Sequence, residues 1–500
     1  MPALVGPHLD ALATELAGPT AGRVARTRLQ LGALAGRLVH PGGLTAASRH
    51  AGAEPWSTGR ARPYAESTLR LRAGAWGAAG GAAAVARHVE AQVERAVRTA
   101  GGAVAHTDMF DQVLYTKKPA HAAPIGSLGN RLLAATYFGL TMVRPDGGPP
   151  LLDHVSWHKP AAPLVDALYA LHANARRAAW LTAYVRRHTW DRGGNGRAVL
   201  QWARDHDIPY LTLARGTVYL SSQRRPTATT ATQLPIFVRK DVGLGAPSLR
   251  PDGTARTPRV VIFPARPAAG AACKKAIRYR TNAELTAAEI ATMDTVYKAR
   301  WPEMENGIKA LVAVGFGANR ERSLALTTSR GTDGKRARLA QRARELTTEI
   351  EALRREPPKA PVRRKLATRA KRQRAIQRQM AVSAAAPLTK GARESTRGEL
   401  LSKYLTALLY NALALLLCRS PLEAVRAMTP ALVRELLLGQ PAFAVLTTET
   451  LTLWIEVTPD ARARPLQREL VKLFEAAQLA RVGGRVLRLR LRQDTEGIRG

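Results

Sequence analysis

Three carboxylates in this chain stand where chain patterning would let them meet. Asp108 closes the run AVAHTD, Asp191 closes HTWD, and Glu305 lies inside Tyr297–Lys309, YKARWPEMENGIK. Acids drawn from separate elements form the oxygen-only donor set that hard divalent cations prefer. Two such ions a few ångströms apart can activate an attacking oxygen and stabilise a leaving one in phosphoryl transfer. Neither histidine nor cysteine is needed, and Cys273 and Cys418, far apart and without partners at metal spacing, form no zinc or disulfide pattern.

Each acid has a rival. Asp111 follows Asp108 by three residues, but Asp108 sits at the end of the apolar run. Glu303 competes with Glu305; on a regular helix the two point roughly 200° apart, so only one can face a sheet. Glu305 shares a helix face with Lys309 one turn later, which on its own reads as a surface ion pair. Lys117 and Lys118 leave the first strand near the acids and suit phosphate contacts. Arg192 and the glycines after Asp191 begin a helix, where backbone N–H groups can meet a phosphate. His154 and His158 are better explained by strand structure than by a metal, and Trp190 and Trp301, flanking the acids, read as core packing with base stacking as the other use. No phosphate-binding Walker pattern occurs.

Positioning these residues requires alternating strands and helices. AVAHTDMF, RLLAATYFGLTMV and PLLDHVSW read as strands, APLVDALYALHANARRAAWLTAYV as a helix, and Arg187–Trp190 as a short strand. A helix GRAVLQWARDHD and the strand IPYLTLAR follow. Residues 215–282 hold short strands between Pro, Gly and Thr clusters, a β-rich insertion expected beside the site. TAAEIATMDTVYKARWPEMENGIKALVAV then reads as helix, with Pro302 marking a fresh start.

The formal charge is +38, from 76 Lys and Arg against 38 Asp and Glu. Such an excess repels itself unless a polyanion answers it, so nucleic acid is the expected partner. Leu339, Ala343, Leu346, Ile350 and Leu353 form a heptad seam, Pro357, Pro358 and Pro361 break it, and VRRKLATRAKRQRAIQRQM returns as a very basic helix. An antiparallel hairpin with an arginine-rich outer face is expected there. The N-terminus has no signal-peptide pattern. The apolar run Tyr404–Cys418 is shorter than the ~20 residues a bilayer needs and reads as a buried helix.

DRGGNG at Asp191, Thr281-Asn282, and the following YKARWPEMEN together resemble the DDE transposases of bacterial insertion sequences. The resemblance covers roughly residues 100–320 with motif support. It implies an RNase H-like α/β fold with the acids at the ends of the first and fourth core strands, a β-rich insertion before the glutamate, and cleavage at transposon ends followed by joining of the 3′ hydroxyl to target DNA. Carried over, Asp108, Asp191 and Glu305 would hold two Mg²⁺, with Mn²⁺ as a substitute, while Tyr297 and Arg300 would lie near the scissile backbone. Four residues rather than the commoner three separate Arg300 from Glu305, as in an RWP-x-x-EN-x-x-K variant, in which Lys309 would be a further DNA contact.

The expected organisation is an N-terminal helical region that is a candidate for binding DNA ends (1–100), a catalytic core (101–214 and 283–325) interrupted by the insertion (215–282), a basic helical hairpin (326–395), and a C-terminal helix with a small α/β unit (396–500). The expected partners are double-stranded DNA ends, target DNA and further copies of the chain, in a cytoplasmic, nucleoid-associated setting without a membrane. A cleavage-inactive DNA-binding relative and an RNase H-like nuclease are the other readings.

Overall fold

Val85, Val89, Val93 and Val97 recur every fourth residue of Gly81–Ala100, so one face of that helix is apolar and fully buried. Burial of each such side chain contributes about 1.5–3 kcal/mol. The helix stops at Gly101, whose φ of 83° is left-handed and whose N–H closes onto the Val97 carbonyl. Directly after it the chain becomes the first strand.

The computed structural model describes residues 5–40, 43–49, 62–116, 123–128, 131–158, 162–214, 218–219, 226–231, 234–241, 256–265, 275–313, 315–316, 322–327, 330–357, 360–384, 389–394, 396–477, 481–482 and 485–492. The helices α1 (Gly6–Ala17), α2 (Ala21–Leu38), α3 (Gly43–Arg49), α4 (Glu66–Ala78) and α5 (Gly81–Ala100) come first. The strands β1 (Ala103–Thr116), β2 (Ala123–Leu128), β3 (Arg131–Pro145) and β4 (Leu151–His158) follow. Next are α6 (Leu164–His172), α7 (Ala175–Tyr184), β5 (Val185–Trp190), α8 (Arg197–Asp205) and β6 (Tyr210–Leu213). Then come β7 (Val218–Tyr219), β8 (Ala228–Thr229), β9 (Pro235–Lys240), β10 (Arg259–Pro264) and β11 (Lys275–Thr281). The helices α9 (Ala287–Ala291) and α10 (Met293–Lys298), a π turn (Trp301–Glu305) and α11 (Asn306–Ala313) complete this part.

These strands form one mixed sheet of order β2-β3-β1-β5-β6-β11-β10-β9-β8, with β4 on β3 and β7 on β11. β3 runs antiparallel to β1, whereas β5 is parallel to β1 and β6 parallel to β5. The chain is thus mixed α/β around a large central sheet. The 215–282 segment is not a separate layer: β11 pairs antiparallel with β6, so its described strands lengthen the same sheet. Thr281 and Asn282 make that join. Asn282 accepts from the Tyr210 N–H and donates to the Ile208 carbonyl, while the Thr281 hydroxyl donates to the Tyr210 carbonyl. The segment expected as one helix from Ala162 breaks in two at Asn174, whose side chain caps α7 through the Arg177 N–H.

The apolar run near Tyr404 belongs to a longer helix, α14 (Thr396–Leu417), which follows α12 (Arg330–Arg355) and α13 (Ala360–Ala384) in the chain. It is long and apolar enough to cross a membrane, yet most of its length is buried inside the protein. It packs against α2, α4, α5 and β4 and shares one core with them. β4 is the last strand on its side, and α14 blunts that free edge: Asn411 pairs with the N–H and carbonyl of Leu152, and Tyr404 with those of Val155. A register shift in β4 leaves Asp153 out of step, and its carboxylate meets the buried Arg177 guanidinium. The N-terminal helices therefore share a core with α14 and the sheet.

After α14 come α15 (Glu423–Arg426), α16 (Pro430–Leu438), β14 (Ala442–Leu446), β15 (Thr450–Glu456), α17 (Arg464–Ala476), β16 (Arg481–Val482) and β17 (Arg485–Arg492). The strands form a second sheet of order β14-β15-β17-β16, with α17 on one face.

The chain divides into two compact units, Met1–Glu321 with Ser395–Gly500, and Arg322–Glu394. The second unit holds α12 (Arg330–Arg355) and α13 (Ala360–Ala384), flanked by the strands β12 (Arg322–Thr327) and β13 (Thr389–Glu394), which pair antiparallel. Leu346 and Ile350 are buried along the helical seam. Arg369 pairs with Glu349 across it at 2.6 Å.

Candidate active site

The parallel register between β1 and β5 ends at Thr107 opposite Trp190. Asp108 follows Thr107 within β1 and Asp191 follows the last residue of β5, so the two acids stand side by side, about one strand spacing of 4.8 Å apart in the backbone. Alternation sends Thr107 and Trp190 to the other face. There Thr107 bonds His188 at 2.7 Å and Thr141 at 2.8 Å, and Trp190 is fully buried with its Nε1–H on the Gly194 carbonyl.

The segment after β11 brings one guanidinium and a phenol to this pair. Arg300 Nη1 donates to Asp108 Oδ2 at 2.5 Å, and the Met109 N–H donates to the other oxygen at 2.9 Å. The Tyr297 hydroxyl points at Asp191 Oδ1, 3.4 Å away. Burial raises the Asp108 carboxyl above its ordinary range; Arg300 and the Met109 N–H oppose the rise and the neighbouring Asp191 adds to it. Burial, with Asp191 and Asp108 adding and Arg300 opposing, pushes Tyr297 up to about 12, so its proton stays in place to be donated.

Several contacts fix these helices on the sheet. Thr286 and Glu289 form a reciprocal cap at the start of α9, and Glu289 also receives Arg187 of β5 at 2.8 Å. Asp294 accepts from the Tyr279 hydroxyl at 3.1 Å and pairs with Lys298 at 2.7 Å. The Tyr297 ring packs against Tyr279 of β11, so the insertion strands supply part of the floor beneath the site.

Of the two competing glutamates, Glu303 is the one that faces the sheet. Its carboxylate meets His106 Nε2 at 2.7 Å and Arg144 at 2.8 Å, joining β1 and β3. Burial holds His106 below its ordinary value, Glu303 opposing, so the neutral ring donates to the carboxylate. Glu305 instead pairs with Lys309 at 3.0 Å through Oε1, while Oε2 is buried with no hydrogen-bond partner. The π turn bears on the spacing. It adds one residue to a helical turn, so Glu305, with four residues between it and Arg300, comes one turn after Arg300, as three intervening residues would bring it on an α-helix.

Asp108, Asp191, Tyr297 and Arg300 are thus together, Glu305 and Lys309 stand one turn on, and Arg192 is exposed beside Asp191. Lys117 and Lys118 lie outside the described residues, as does the side chain of Asp111. His154 bonds Tyr404 and His158 bonds Ser156, as strand residues with structural partners. Trp301 is 61% exposed beside Arg300. His106, Arg144, Arg187 and Glu289 were not singled out from sequence, although Thr286-x-x-Glu289 is a legible capping pattern and His106 shares the face of Asp108 two residues on.

No protein-family model matches the chain, and no curated protein matches it.

Among the described residues no three His, Cys, Asp or Glu side chains converge on one point. The donor chemistry still fits a hard cation: two adjacent carboxylates whose mutual repulsion Arg300 now relieves, and a third with an unpartnered buried oxygen.

Proposed function

We propose that this protein is a metal-dependent DDE transposase that cleaves duplex DNA at transposon ends and transfers the 3′ hydroxyl into target DNA. The observation that carries the reading is the side-by-side placement of Asp108 and Asp191 with Arg300 and Tyr297 over them. The core order β4-β3-β1-β5-β6, with β3 antiparallel to β1 and β5 and β6 parallel, is the order an RNase H-like sheet would have.

Asp108, Asp191 and Glu305 would hold two Mg²⁺ or Mn²⁺, which when bound supply activation of the attacking oxygen and charge stabilisation of the leaving one. Tyr297 and Arg300 would orient the scissile phosphate, with Arg192, Lys309, Lys117 and Lys118 on the flanking backbone. α13 carries eight basic residues and no acid along 25 residues. Such a helix suits backbone contacts that weaken steeply with salt. Pairing of two DNA ends would use more than one copy of the chain.

A second reading, a cleavage-inactive DNA-binding protein, is favoured by one specific arrangement: Arg300 holds Asp108 and Lys309 holds Glu305. Incubating the protein and Mg²⁺ or Mn²⁺ with plasmid duplex, RNA–DNA hybrid and branched DNA separates the readings. Nicks in duplex DNA followed by joined products support the transposase. Preference for hybrid or branched substrate points to a nuclease, and metal-independent binding without cleavage of any substrate supports the second reading.

A further inference from the structure

Four of the nine large hydrophobic side chains exposed among the described residues, Phe443, Val445, Leu446 and Val486, lie on the small C-terminal sheet. Strand alternation places three of them, Phe443, Val445 and Val486, on one face, whereas Leu446 pairs with Leu451 on the other. Leu453 and Ile455 of β15 and Leu487, Leu489 and Leu491 of β17 turn to the core beneath α17, and the buried Leu451, paired with Leu487, shares their face. The opposite face is left with two rows across the strands: Phe443, Trp454 and Arg490, then Val445, Thr452 and Arg488. No helix among the described residues packs there.

The rings of Phe443 and Trp454 are stacked nearly parallel, 9° apart with centroids 6.2 Å apart. Arg492 leans over Phe443, its Cζ 5.8 Å from the ring, and its guanidinium sits 3.6 Å from Glu456. Arg490 reaches Glu475 at 2.9 Å, and Arg488 is exposed. These ion pairs are solvent-facing and so weak enough for a phosphate to replace. Docking the face on a second copy would set one arginine row against another. An unpaired nucleic-acid strand instead offers base faces to the aromatics and phosphates to the arginines.

We propose that this open face binds an unpaired nucleic-acid strand, its bases stacking on Phe443 and Trp454 and its backbone running along Arg488 and Arg490. The proposal does not depend on metal chemistry at Asp108 and Asp191. A duplex, whose base faces are already stacked, would gain little here.

The test uses the full chain, labelled oligothymidine and a duplex of equal length, at salt high enough to suppress contacts made only to the backbone. Phe443→Ser, at an exposed position, is expected to weaken single-strand binding on the order of 10-fold and to leave duplex binding within about twofold. Arg488→Gln should give a smaller loss of the same kind. Photocross-linking of the unaltered protein to iodouracil-substituted strands, mapped by mass spectrometry, should label Phe443 or Trp454. Labels confined to residues outside 442–492, equal losses on both DNAs, or unchanged single-strand affinity with an altered oligomeric state would overturn it. Asp191→Asn protein should retain single-strand binding, which keeps this outcome separate from that of the cleavage experiments.

Discussion

Two arginine–aspartate pairs sit on the central sheet and do opposite work. Arg177 and Asp153 are nearly sealed, with side chains 5% and 1% exposed, and Glu90 of α5 joins them at 2.7 Å. Arg300 is as buried, at 8%, but Asp108 is 35% exposed, inside β1 just past the point where its pairing with β5 stops. The same chemistry ties helices to the sheet in one place and leaves a carboxylate within reach of solvent in the other. Accessibility, rather than the pair itself, separates scaffold from site.

Breaking the sealed pair should have the largest effect. Asp153→Ala leaves the buried Arg177 charge with Glu90 as its remaining acidic partner and should cost about 3–5 kcal/mol, read as a lowered urea midpoint, with DNA affinity of the folded fraction unchanged. Arg300→Ala should behave in the reverse way. Asp108 can reach solvent or take a proton, so stability should fall little, while cleavage should drop about 100-fold or more, as for loss of a charge-stabilising donor. An Arg300 variant that unfolds like Asp153→Ala would erase the distinction.

A test of the packing between the two pairs comes next. A Cβ on Gly139 of β3 would lie 2.4 Å from the Ala167 Cβ of α6 and 2.8 Å from Ser156 Oγ. Gly139→Ala should therefore destabilise by about 1–3 kcal/mol through overpacking, measured by thermal unfolding. The smallest effect is in pH. Burial, with Arg177 and His206 adding, pushes His172 down to about 3 from the ordinary 6.5. The unfolded chain then takes the proton first, so this contribution is full above the unfolded value and fades as pH falls towards the folded one. His172→Phe should flatten the loss of urea stability between about pH 7 and pH 5.

The elements with strong periodicity were legible: the β1 run ending in Asp108, the short strand ending in Asp191, the heptad-like hairpin and the helix around Tyr404. Adjacency of the two acids followed from strand order alone. The break at Asn174 was not legible, because both helices carry the same apolar period. The merging of 215–282 into the main sheet was hidden too, since short strands look alike whether they form a new layer or extend an old one. Only Thr281 and Asn282 marked the join. The π turn escaped a regular-helix reading, and so did the partnership of Glu303 with His106, which depends on the face that turn presents.

The most direct test is metal-dependent nicking of duplex DNA by Asp191→Asn protein, measured beside its duplex affinity. Loss of nicking with affinity retained is the predicted result. Nicking that persists at the unaltered rate would contradict the assignment of Asp191, and with it the two-carboxylate centre.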